Sequence, residues 1–268
     1  MKSTHNSRAV SLSSALAAAA LTFSGTASAA DYYWDNNDNT AGFGTAGGTW
    51  LNPTPGGTTG WSTDSTGASA IGSVTTGGGD NLNFGTDTVG LAAGTITLPG
   101  TVNAANLRFG KVSGDITLSG GTISIGGGNN VIQASSGGGS TTATHTINSD
   151  ITKSGGVLQF GTQNTNGEKY IVNGVLSGGF SLDGRMQNST SVLTLNGLNT
   201  FTGNIGMVTG QYNVNTLADS GVDSSIGAGS SMSMGGNGGQ NPRLVYTGSS
   251  ATSTDRALTV NANAVVGI

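Results

Sequence analysis

The sequence holds no cysteine, only 4 prolines and a single glutamate, Glu168, among 268 residues. Without cysteine there is no disulfide framework and no thiolate chemistry, and the absence suits an exported chain as well as a cytosolic one. Charged residues make up 8% of the chain, against about a quarter in an ordinary soluble domain. Uninterrupted helical runs are also scarce. The 48 glycines are spread along the sequence, and each would cost a helix interior roughly 1 kcal/mol relative to alanine. Only the segment from Leu217 to Ser220 reads as a turn of helix. Leu, Ile, Val and Phe total 54 residues, a fifth of the chain, and the net charge is −4. So little apolar material borders on disorder, yet the charge is too small to keep the chain open. A thin core suffices if strands stack in register, because each backbone N–H and C=O then finds a partner in the neighbouring rung.

The first thirty residues carry a different pattern. Lys2 and Arg8 form a positive start, Leu12 to Phe23 an apolar stretch, and Ala27-Ser28-Ala29 an A-x-A cleavage signature. That order predicts a secretory signal peptide over residues 1–29, too short for a membrane span. Its removal leaves 7 basic against 13 acidic residues, a net charge of −6. Such a surface has no electrostatic footprint for nucleic acid or anionic lipid. No later stretch approaches the roughly 18 apolar residues of a membrane helix, so no membrane span is expected in this chain.

Residues 30–76 form a second region, which holds all three tryptophans, Trp34, Trp50 and Trp61. Two readings are open for the rings: a cap over the end of a stacked core, or a platform for stacking sugars. From residue 77 to 268 the text is repetitive. Period-two alternation bounded by glycine predicts short strands at Asn81–Phe84, Thr95–Leu98, Asn106–Phe109, Asp115–Leu118, Thr122–Ile125, Val157–Phe160, Tyr170–Val172, Val192–Leu195, Arg243–Tyr246 and Ala257–Val260. Asn81-Leu-Asn-Phe84 returns as Asn106-Leu-Arg-Phe109 at an offset of 25, and Ile96-Thr-Leu98 returns at 116–118, an offset of 20. Periods of this size mark one unit stacked on the next. Asn-Gly pairs at 166–167, 173–174 and 196–197 leave room for some hairpins. The expected fold is all-β, a right-handed parallel β-helix (β-solenoid) with an aromatic-rich N-terminal cap. About ten coils and a rod about 50 Å long would follow from about 4.8 Å per coil.

Catalytic chemistry is hard to place. His5 leaves with the signal peptide, and His145 stands alone in Thr144-His-Thr-Ile-Asn148, where it reads as an exposed strand residue. No G-x-S-x-G elbow is present. Asp35-Asn-Asn-Asp-Asn39 spaces oxygen ligands as a calcium loop does, but Thr40 and Ala46 replace the loop's glycine and glutamate. That segment and Gly77-Gly-Gly-Asp80 both read as solvated turns. Asp115, Asp150 and Asp183 would share a groove only if the coil period aligned them. No catalytic, cofactor-binding or metal residue is assigned, and no cofactor.

The segment near 191–230 carries a resemblance. Leu193-Thr-Leu-Asn-Gly-Leu-Asn-Thr-Phe-Thr-Gly203, then Gly210-Gln-Tyr-Asn-Val-Asn215 and Ser224-Ser-Ile-Gly227, resemble an autotransporter-associated β-strand repeat. Gln211-Tyr212 and Asn204-Ile205 depart from the usual residues but keep the alternation. Tyr33-Trp-Asp35 and Gly47-Gly-Thr-Trp50 resemble the amino-terminal region of secreted proteins bearing that repeat. The resemblance implies a passenger region, secreted or displayed at the cell surface of a cell with an outer membrane. A complete autotransporter ends in a membrane barrel, so the chain is expected to be a truncated piece of a longer protein or, failing that, a simply secreted one. On this reading the chain is a non-catalytic, adhesin-like stalk that meets surface glycans or other cell-surface proteins. A carbohydrate-active β-helix enzyme, a polysaccharide lyase or hydrolase, is the alternative offered by fold analogy. Exported protein should begin at Ala30; amino-terminal sequencing showing an uncleaved Met1 would refute the signal peptide.

Overall fold

The computed structural model describes residues 29–134, 138–162, 165–186, 190–236 and 241–261. The signal peptide expected over residues 1–29 lies, but for its last residue, outside the described residues. All regular structure among the described residues is β, and the predicted helical turn at 217–220 is irregular backbone. Strands of mostly four or five residues alternate buried and outward side chains, as in Asn106–Phe109 and Val192–Leu195. Leu107 and Phe109 point inward while Asn106 and Arg108 do not. Each coil therefore contributes only one or two apolar side chains per strand. The coils stack so that these side chains form continuous inward rows.

Three parallel sheets run along the stack. The long sheet begins with Gly60–Ser62 at its edge, then Asp31–Asp35, Asn81–Phe84, Asn106–Phe109 and Asn129–Gln133. It continues through Val157–Phe160, Ser181–Arg185, Ile205–Thr209, Ser231–Met234 and Ala257–Val260. A second sheet stacks seven strands from Gly94–Thr97 to Arg243–Tyr246, and a third stacks four from Thr101–Ala104 to Leu176–Ser177. The result is a β-solenoid of about seven turns, about 35 Å long at the usual strand spacing. It is shorter than the ten coils expected, because residues 36–80 go largely into the cap, where they add no further named parallel strand and only isolated parallel bridges, Thr45 to Ala92 and Thr49 to Thr97. The Asn-Gly pairs turn coil corners and make no hairpins. The named strands are antiparallel at one place, where Asp31–Asp35 meets Gly60–Ser62.

The register explains which repeats were readable. Asn81 to Phe84 pair residue for residue with Asn106 to Phe109, the offset of 25 seen in the sequence. Ile96 pairs with Leu118 and not with Ile116, a step of 22. Sliding by two keeps the same side chains inward, so the short motif repeated on the right face at the wrong rung. Further along, steps range from 19 between Leu195 and Val214 to 32 between Val214 and Tyr246. Corner loops absorb the differences while the strands stay in line.

At the amino-terminal end Trp34, Trp50 and Trp61 are buried, with Trp61 edge-on to both of the others at 5.0 and 5.1 Å. Phe84 lies against Trp50 and Trp61 and stacks on Phe109 at 5.1 Å. An aromatic column thus closes the first rungs, and the Trp34 indole N–H donates to the carbonyl of Gly47. Rings sealed this way offer no face to a sugar, which removes the platform reading.

The residues that carry the repeat resemblance hold a coil corner. Asn199 is buried; its Oδ1 accepts from the N–H of Leu176 and its Nδ2 donates to the carbonyl of Ser225. Phe201 stacks on Phe180 of the preceding coil at 5.2 Å. Arg256, 5% exposed, donates to the carbonyls of Ala218, Asp219, Ile226, Val222 and Gly227, tying the Ser224–Gly227 turn to the next coil.

Close packing leaves no slack where a ring crosses the thin interior. The Tyr212 hydroxyl lies 2.6 Å from the carbonyl oxygens of both Gly184 and Thr209, which share its one proton, and the ring lies where a β-carbon on Gly184 would sit. Gly184→Ala should therefore lower stability by about 1–3 kcal/mol. Thermal melting that matches the unsubstituted protein would contradict this packing.

Candidate functional site

Three outward aspartates, Asp115, Asp150 and Asp183, do not converge. Asp115 precedes a second-sheet strand and accepts from the N–H of Thr144. Asp150 opens a third-sheet strand and accepts from the N–H of Val175. Asp183 lies on the long sheet, 2.8 Å from the Nε of Arg185. They belong to three different sheets, so no one groove gathers these three. Among the described residues no three His, Cys, Asp or Glu side chains are grouped to hold a metal.

His145 is not exposed. It occupies an inward row of the second sheet beside Tyr170, fully buried, with its ring stacked on Phe109 at 4.2 Å. Period-two alternation gives Thr144 and Thr146 to the outside and His145 to the inside, a parity that the polar character of His obscured. Neither ring nitrogen has a hydrogen-bond partner. Burial pushes its pKa down to about 4, against a small opposing pull from Asp115. It is a core aromatic, held neutral.

Glu168 is its counterpart. The carboxylate is buried and accepts from the N–H groups of Ala134 and Thr162 and from the Tyr170 hydroxyl. Burial outweighs these donors and raises its pKa to about 7. Lys153 is also buried; its Nζ donates to the carbonyls of Gly126 and Gly128 and to Oδ1 of Asn130, and burial lowers its pKa. Asn130 pairs with Leu158 and starts a new inward row that continues through Leu182 and Ile205. Lys153 thus fills the polar gap where the row begins. These groups brace the interior.

The surface does offer two kinds of recognisable feature. One is a pair of asparagine ladders. Asn173 donates to Asn148 and Asn196 to Asn173, each at 2.8 Å, while Asn106 donates to Asn81, which donates to Asp31. The other is a cleft of about 380 Å³ where the cap meets the first rungs. Its floor is an outward row on the long sheet, Tyr33, Asn83 and Arg108, side by side by register. The loops containing Thr66 and Thr86 to Val89 form its walls. Arg108 makes one long ion pair, 3.6 Å to Asp31, and its Nε is buried without a partner. Tyr33 stacks on buried Phe43 at 5.9 Å, and burial followed by the charge of Asp31 raises its pKa. The cleft was not foreseen from the sequence, although the offset of 25 already set Asn83 beside Arg108.

A β-solenoid with a sealed aromatic cap and outward polar ladders has the form of a passenger-like rod. The chain is 30% identical over 237 residues, 87% of its length, to the protein described as Adhesin BmaC autotransporter from Brucella suis biovar 1 (strain 1330). The match spans 5% of that much longer protein. No family model matches the chain, and no solved structure matches it.

The buried histidine and glutamate generate opposed pH dependences. His145, depressed from 6.5 to about 4, adds stability that is full above pH 6.5 and lost as pH falls through about 4. Glu168, raised from 4.5 to about 7, adds stability that is full below pH 4.5 and lost as pH rises through about 7. Each is worth on the order of 3 kcal/mol, and between pH 4.5 and 6.5 they offset one another. Glu168→Gln should make melting temperature climb from pH 4 to 6.5, and His145→Phe should make it fall from pH 4.5 to 7. Parallel pH profiles for both variants would refute the assignment.

Proposed function

We propose that this chain is part of an exported, surface-displayed adhesin, a non-catalytic rod that carries contact surfaces away from the cell. The signal at residues 1–29 sends it across the membrane, residues 30–76 cap the rod, and the 191–230 segment is one repeat of the passenger architecture. The single observation that carries the reading is the similarity to an autotransporter adhesin along 87% of the chain. A backbone-laddered rod supports it physically, since stability grows rung by rung and needs no wide core.

Contact falls to the cleft between cap and first rungs, and its preferred partner is a surface glycan. An amphipathic tyrosine face beside planar amide, guanidinium and carboxylate groups suits a sugar ring, which presents C–H bonds on one side and paired hydroxyls at its edge. Beads coated with the purified protein should adhere to cells, and periodate oxidation of the cell-surface glycans should abolish adhesion. Arg108→Gln should weaken it at least tenfold, because the guanidinium is replaced without disturbing an inward row. Coated beads that bind no better than uncoated ones would overturn the adhesin reading; adhesion that survives periodate would redirect it to a protein partner.

A further inference from the structure

The turn after the first rung is solvated at Asn39 and Thr40, as expected of it, but not at its first carboxylate. Asp35 is 0% exposed. Its Oδ1 accepts from the N–H of Asn37, but its Oδ2 is buried with no partner. Two residues on, Oδ1 of Asn37 is likewise buried with no partner. Asn36, between them, is turned towards Thr45, where its Oδ1 accepts from the backbone N–H and its Nδ2 donates to the hydroxyl. Two orphaned oxygen acceptors therefore lie in one tight turn, and one belongs to a carboxylate. A buried carboxylate oxygen without a donor is costly, and native structures rarely leave one unmatched.

Those features have one economical explanation. We propose that Asp35, Asn37 and Asp38 hold a calcium ion. Hard oxygen donors closely spaced in a short loop are the pattern calcium takes, with an amide and carboxylates as ligands and water completing six to eight bonds. The sequence lacks the glycine that normally sharpens such a loop. Here Asp38 itself adopts the left-handed backbone conformation, at φ 57°, and Thr40 closes the turn by donating its N–H to the carbonyl of Asn37. The sharp bend thus falls at Asp38, ahead of the position where the glycine would stand. Without the distant glutamate of a helix-loop-helix site, few protein ligands remain, so affinity belongs to the roughly 10⁻⁴–10⁻³ M range of extracellular modules. The ion would tie the strand Asp31–Asp35 to the loop that returns to Phe43, whose carbonyl accepts from the N–H of Asn36.

The position supplies its own reporter, since Trp34 precedes Asp35 and packs 5.0 Å from Trp61. Chelator-treated protein titrated with terbium should show luminescence excited through tryptophan, and calcium should displace it. Calcium at about ten times its dissociation constant should raise the melting temperature by about 3–5 °C, while equal magnesium should not. Asp35→Asn should abolish both responses and raise the melting temperature of the metal-free protein, because it neutralises the unmatched charge. Asp38→Asn, on a partly exposed side chain, should weaken calcium at least fivefold and serves if Asp35→Asn does not fold. No terbium signal and no thermal shift at about 10 mM calcium, ten times the weak end of that range, would overturn the proposal, as would a response unchanged in these variants.

Discussion

The parallel backbone ladder is the interaction on which everything else in this molecule rests. Along the long sheet each rung donates to and accepts from the next, and pairings such as Val157 with Ser181 continue even where the side chains are small and polar. Side chains alone could not hold such a structure, because an interior row offers one or two apolar residues per strand. The ladder removes the need for a wide interior and replaces it with repetition. What the side chains then decide is register. Leu82 over Leu107 and Leu193 over Tyr212 fix which face is inside, and a one-residue slip would turn all of them outward.

Where the ladder is irregular, buried polar groups take over. Lys153 stands where an inward row begins at Asn130. Glu168 binds the backbone of Ala134 and Thr162 across neighbouring coils. Arg256 gathers five carbonyls of the loop that makes the longest step in the second sheet. A corner loop that bulges from the stack leaves carbonyls and N–H groups without rung partners, and a long charged side chain can reach several at once. Some of the chain's few charges are thereby drawn into the rod as braces, which leaves its outer surface more neutral and rich in hydroxyls.

Much of the fold was legible because alternation bounded by glycine survives in any strand with two inward apolar residues. Strands such as Asn106–Phe109, Thr122–Ile125 and Val192–Leu195 were readable for that reason. Thr101–Ala104, Asp150–Lys153 and Ser181–Arg185 were not, because one of their inward positions is alanine, lysine or glycine. His145 illustrates the same limit: residue type suggested the surface, while parity along the strand placed it in the core. Less of the candidate cleft could be read. Its floor comes from three rungs up to 75 residues apart, Tyr33 to Arg108, and only the coil length brings them together.

The three-residue strand Gly60–Ser62 lies across the first rung in the opposite direction, with Trp61 set against Trp34 beneath it. Its reversed polarity and shortness deny a parallel template to any incoming β-segment at that end. Addition of further rungs is thereby directional. At this tip two copies of the rod have no matching ladder through which to fuse end to end into fibres, which a bare, flat terminal rung would invite.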